Sequence, residues 1–106
     1  MAKYMFAVDY STEGAKGLAK DGGSKRRAVV EKVVTKLEGT LESFYFGFGK
    51  DDAIVIVDLP DNVSAAAVSI AVSASGAGAI VTTPLLTVED IDRACKKSVG
   101  YKAPGA

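Results

Sequence analysis

From Lys3 to Tyr10 apolar positions recur at every second residue, with Tyr4, Phe6, Val8 and Tyr10 on one side and Met5 and Ala7 on the other. That period predicts a strand. Ser11 and Thr12 follow as caps for a short helical turn that Gly22-Gly23 ends. After Ser24, read as the cap of the main helix, the spacing becomes helical. Val29, Val33 and Leu37 join Val30 and Val34 in one stripe, opposite Lys25, Glu31, Lys32, Thr35 and Lys36. Valine weakens intrinsic helicity, so packing must hold this helix in place.

Alternation returns over Thr40–Phe48, where Phe44, Phe46 and Phe48 share one side and Leu41, Ser43 and Tyr45 the other. Gly49-Lys50-Asp51-Asp52 reads as a turn and Ala53–Leu59 as the returning strand of a hairpin. Pro60 breaks that strand, and Asp61 or Asn62 caps a second helix running to about Ser75. Ala79–Leu86 gives a fourth strand. Thr87-Val88-Glu89-Asp90 has capping-box form and opens a third helix. Its inner face is Ile91, Ala94, Cys95 and Val99, and Gly100 stops it.

This order predicts an α+β, ferredoxin-like βαββαβ domain over residues 1–100 with an added C-terminal helix and a tail at 101–106. Its antiparallel four-stranded sheet carries both main helices on one face. The other face then poses a problem. Ile54 and Ile56 alternate with Val55 and Val57, and Tyr4, Phe6, Phe44, Phe46 and Phe48 leave the neighbouring strands without a polar side. Burying one apolar side chain contributes about 1.5–3 kcal/mol, so leaving several wet would forfeit much of a small domain's stability. These residues are expected in the core or in an interface with a second copy, sheet against sheet. The prediction is a homodimer or a higher oligomer. The second helix (Ala65, Ala66, Ala67, Ser69, Ala71, Ser73, Ala74) has no charged stripe, which predicts burial all round. Either the C-terminal helix of its own chain covers it, or another dimer does.

Composition narrows the function classes. The 106 residues are 48% apolar with 13 basic and 13 acidic side chains, so no bulk charge draws the chain to DNA, RNA or anionic lipid. There is no histidine, which removes the commonest base, metal ligand and proximal haem ligand. No metal and no cofactor is predicted. The single cysteine, Cys95, cannot form an internal disulfide, and its spacing with Ile91 and Val99 suggests a buried packing role. The N-terminus reads as a strand rather than a signal peptide, so a cytoplasmic location is expected. Asn62–Val88 lacks charge but is interrupted by Gly76, Gly78 and Pro84, which argues against a membrane span.

Candidate chemistry is sparse. Asp51-Asp52 is most simply turn chemistry. Asp58, Asp61 and Asn62 bracket Pro60 as a weak oxygen cluster, with Asp9 expected to approach Asp58 across the sheet. Ser24, Lys25, Arg26 and Arg27 follow two glycines at a helix start and are anion-binding candidates, although the phosphate-loop spacing is absent. Phe46-Gly47-Phe48 invites comparison with RNA-recognition domains, but it falls on the second strand and lacks the leading basic-Gly pair. Tyr10, Ser11, Tyr45, Asp58 and Ser73, with Ser75, are candidates to line a cleft between sheet and helices. The leading expectation is a binding or assembly module holding a small anionic or apolar ligand. The alternative is a cofactor-free enzyme acting on a small carbonyl compound, with Asp9, Asp58 or Tyr45 carrying the proton. It weakens if Val, Phe and Ala fill that cleft. RNA binding is the third class.

The turn Gly49-Lys50-Asp51-Asp52 followed by AIVIVDLPD resembles the signature of the GYD-domain family of small bacterial and archaeal proteins. The Gly39-containing approach to LESFYF, the Ala-rich helix and the TTPLLTVEDID ending support it, so the resemblance runs from Tyr4 to about Asp92. Gly49 and Asp52 match the motif, whereas Asp51 stands where the family name implies tyrosine. The resemblance implies a dimeric α/β barrel and brings no reaction with it.

Overall fold

The computed structural model describes residues 1–106 as β1 (Ala2–Tyr10), α1 (Thr12–Asp21), α2 (Gly23–Lys36), β2 (Thr40–Phe46), β3 (Ala53–Leu59), α3 (Asn62–Ser75), β4 (Gly78–Leu85) and α4 (Val88–Cys95). All pairings are antiparallel, in the order β2-β3-β1-β4. This is a ferredoxin-like arrangement to which α1 and α4 are added.

Residues paired across strands share a sheet face. Tyr4 pairs with Val57 and Phe6 with Val55, and Val55 pairs in turn with Phe44. All of these side chains point to the helices. Together with Val34, Leu59 and Ala65 they build the core, against which Val30, Leu37, Val68 and Ile80 pack. The buried ring of Tyr4 keeps its polar tip satisfied, because its hydroxyl donates to Asn62 Oδ1 at 2.6 Å. Asp61 caps α3 by accepting from the Ser64 N–H. Thr87 and Asp90 form the expected capping box at α4.

The second strand differs from its sequence reading in three ways. It stops at Phe46, so Phe48 leaves the sheet and stands fully exposed in the hairpin loop. A register shift between Leu41 and Ser43 inserts Glu42 as an extra residue, which brings Leu41 to the side of Phe44. The rings of Phe44 and Phe46, 5.0 Å apart, belong to the helix side along with Tyr4 and Phe6. The uncovered face is apolar through other residues: Met5, Ala7, Ile54, Ile56, Val81 and the ring of Tyr45. Of the sheet residues singled out above, only Ile54 and Ile56 stand on this face.

The helices also depart from expectation. The short turn after Ser11 is a full helix, α1, with the Ser11 side chain accepting from the Gly14 N–H. Ser24 lies inside α2, whose cap position is Gly22, with no side-chain cap. α4 ends at Cys95 rather than Gly100. Every residue from 91 to 106 is exposed. Ile91 and Val99 keep 47% and 80% of their surface in water, and Cys95 is exposed, so the packing role expected for it is absent. α3 is not covered by α4: Val63 and Ile70 on its outer side are 76% and 67% exposed. An amphipathic period tells which face of a helix wants cover; it does not supply the cover.

A cleft between α2 and α3

α2 packs on the β2 side of the sheet and α3 on the β4 side, which leaves a cleft between them. α2 contributes Val29, Val30, Val33 and Val34, and α3 contributes Val68 and Val72. The floor is the helix side of the sheet, notably Phe6, Val8, Val55 and Ile80. The space is about 90 Å³ and open to solvent, and Arg26 is the one charged residue lining it, with Tyr10 also in the lining. Val29 and Val33, which line this open cleft, remain 44% and 42% exposed.

The basic run at the start of α2 divides by direction. Lys25 pairs with Asp21 at 3.6 Å one turn earlier. Ser24 and Arg27 face solvent. Arg26 alone of the run lines the cleft, at an edge shared with a second depression that Glu13 and Asp21 also line; it is half-buried and has no ion-pair partner. The other ligand candidates scatter. Ser11 and Ser73 lie beside a shallow depression with Asp9 and Gly76, and the Ser11 hydroxyl donates to the Gly76 carbonyl at 2.6 Å. Ser75 donates to the Val72 carbonyl at 2.7 Å. Tyr45 and Asp58 stand on the opposite sheet face, and Asp58 is held by Lys3 at 3.0 Å. Lys3 also binds Glu42 at 2.6 Å; hydrogen bonds to Glu42 and then Asp58 raise its pKa. Sequence reasoning named Arg26 but missed the valines and Ile80 as cleft walls. Their only signal was a stripe too broad for one contact.

Asp9 does not approach Asp58. Register places Lys3 opposite Asp58, at the far end of β1 from Asp9. Asp9 instead meets Asp52. The Asp52 carboxylate accepts from the Tyr10 N–H at 2.8 Å, while its own N–H donates to the Val8 carbonyl at 2.9 Å. This motif residue therefore ties the hairpin loop to the end of β1. A hydrogen bond to Asp52 raises the pKa of Asp9, and the charges of Asp52 and Asp51 push it further the same way.

The sign of the pH effect follows. A carboxyl whose folded pKa is raised contributes stability below its ordinary pKa and loses it as pH rises through the folded value. Asp9→Asn keeps a donor toward Asp52 and removes the repulsion. Its urea midpoint is expected to exceed the parent's at pH 7 and to match it near pH 3. A midpoint equal to the parent's at both pH values would refute the Asp9–Asp52 contact. No group of three or more acidic, cysteine or histidine side chains converges anywhere to hold a metal ion, and no helix is long and apolar enough to cross a membrane.

The model of one protein family, described as GYD domain, matches residues 4–95. No curated protein and no solved structure shows significant similarity to the chain.

Proposed function

The chain belongs to the GYD-domain family, and from that premise we propose a self-associating module that binds a small amphipathic anion between α2 and α3. The observation that carries this reading is the pairing of a valine-walled slot with one unpaired cation, Arg26. Ligand sites are typically apolar concavities with a few placed polar groups that orient the ligand. Arg26 is suited to a carboxylate, because its planar fork offers two parallel donors. The slot carries no acid and no amine, and Tyr10 is its one neutral hydroxyl. That favours holding a ligand over proton-transfer chemistry.

Self-association is supported by the uncovered sheet face, where Ile54, Val81 and Tyr45 are 36%, 63% and 70% exposed. A second copy packed sheet to sheet would cover them and complete a dimeric α/β barrel.

Hexanoate titrated calorimetrically into the intact protein tests the ligand reading, with hexanol as the uncharged control. Hexanoate is expected to bind and hexanol to bind more weakly. A charge-assisted hydrogen bond is worth about 1.5–3 kcal/mol, so Arg26→Gln should weaken hexanoate by about 10- to 100-fold. Equal affinity of parent and Arg26→Gln, or no heat with hexanoate at millimolar concentration, sinks the ligand reading.

A further inference from the structure

α1 is an addition to the ferredoxin-like order, and it stands at one end of the cleft between α2 and α3. Its start is fixed to the turn before β4. The Ser11 N–H donates to the Ala77 carbonyl at 2.9 Å, and the Ser11 hydroxyl to that of Gly76 at 2.6 Å. Gly14 lies so close to this turn that a Cβ there would collide with the Ala77 carbonyl oxygen. Helical spacing then puts Glu13, Gly17 and Asp21 on one side of α1. A depression of about 320 Å³ opens beside them, and Tyr10, Arg26 and Ala77 line both it and the valine slot. The two spaces therefore adjoin, with Arg26 where they meet.

The depression differs from the slot in chemistry. Glu13 and Asp21 line it, yet neither forms an ion pair with Arg26. The partners they do have stand outside the lining: Lys16 is 4.0 Å from Glu13, and Lys25 is 3.6 Å from Asp21. Pairs of this kind on a helix surface are weak and exchange readily. Ser75 is already committed, since its hydroxyl donates to the Val72 carbonyl and accepts from the Ala77 N–H. A half-buried guanidinium and two carboxylates thus line one depression without meeting each other. A molecule carrying both charges on neighbouring atoms, with an apolar group beside them, answers all three surroundings at once.

We propose that the occupant is a free α-amino acid with a branched aliphatic side chain. Its carboxylate pairs with Arg26, its ammonium with Glu13 and Asp21, and its side chain enters the valine slot. This rests on the anion reading of Arg26 given above and names the ligand more closely. A simple monocarboxylate at Arg26 is opposed by the charges of the two acids. An α-ammonium turns that opposition into attraction. The slot, about 90 Å³ with valine walls, suits a short branched chain. Gly17 keeps the wall of the depression open, because a Cβ there meets nothing within 4 Å. A larger side chain at that position would fill the depression without straining the fold.

Leucine and 4-methylpentanoate, which differ only in the α-amino group, are titrated calorimetrically into the intact protein. Leucine is expected to bind at least about tenfold more tightly, as a charge-assisted contact allows. Glu13→Gln with Asp21→Asn should remove that advantage by weakening leucine while leaving 4-methylpentanoate no weaker. Gly17→Leu should weaken leucine by a similar factor. All three positions are exposed, so the fold is retained, and circular dichroism checks it. No heat from either ligand at millimolar concentration overturns both the anion reading and the amino acid. If 4-methylpentanoate binds as tightly as leucine or more so, the amino acid falls and the anion reading stands. A leucine advantage that survives the Glu13 and Asp21 substitutions, or a Gly17→Leu affinity equal to the parent's, overturns the proposed seat.

Discussion

Gly39→Ala is expected to lose at least about 3 kcal/mol of stability, the upper range for forcing atoms into a packed site. A Cβ at this position would sit 2.3 Å from the Asp58 carbonyl oxygen, 2.7 Å from Leu59 Cδ2 and 3.1 Å from Val34 Cγ1. The first of these is backbone of β3, in the middle of the sheet, and cannot turn aside. Leu59 and Val34 are themselves buried at 0% and 2% exposure, so neither can swing away without opening the core. Relief requires moving the α2–β2 connection off β3, which unseats Val34 and Leu37. Small domains hold about 5–15 kcal/mol in total, so the loss is a large fraction. Urea unfolding would show it as a lowered midpoint at unchanged slope. Gly49→Ala is the matched control, because a Cβ there meets nothing within 4 Å. If Gly39→Ala and Gly49→Ala unfold at the same urea concentration, the close approach at Gly39 is refuted.

Ile54→Lys combined with Val81→Lys should convert the proposed dimer to a folded monomer. Both residues flank Ala7 on the uncovered face, where Ala7 pairs with Ile54 on one side and Val81 on the other. A sheet-to-sheet interface would bury four added ammonium groups without partners. Each buried charge left unpaired costs several kcal/mol, so dissociation should strengthen by more than about 100-fold. The fold itself should hold, since exposed substitutions usually change stability by within about 0.5 kcal/mol. Sedimentation equilibrium across a concentration series reads the result. A parent protein that sediments as a monomer at about 100 μM, or a double variant as dimeric as its parent, would end the sheet-to-sheet reading.

The two substitutions probe different surfaces of the same β3 region. Gly39 reports on the helix side, where Val55, Val57 and Leu59 are closed off by the chain's own helices. Ile54 and Ile56 look the other way. Alternation along one strand thus serves an internal core and an external contact at once.

Much of this was legible in the linear chain, and the reason is range. The order of elements follows from periods of two and 3.6 residues, and the caps at Asp61 and at Thr87 with Asp90 act within one turn. Such interactions close over three or four residues, so neighbours alone decide them. The apolar second face of β3 was equally plain, because Ile54 and Ile56 could only oppose Val55 and Val57.

Tertiary structure decided the rest. One inserted residue at Glu42 turned Leu41 to the helix side, and pairing that ended at Phe46 put Phe48 in the loop. Antiparallel register brought Asp9 to the start of β3 and Asp52, leaving Asp58 to Lys3 at the other end. The spacing of α2 and α3 across the sheet made a slot of valines that a helical stripe alone reads as core. The amphipathic face of α4 found no cover within the chain. Each of these depends on what stands opposite a residue rather than beside it. Local pattern states what a side chain needs; only the packed chain determines whether its own partners, or another copy's, meet that need.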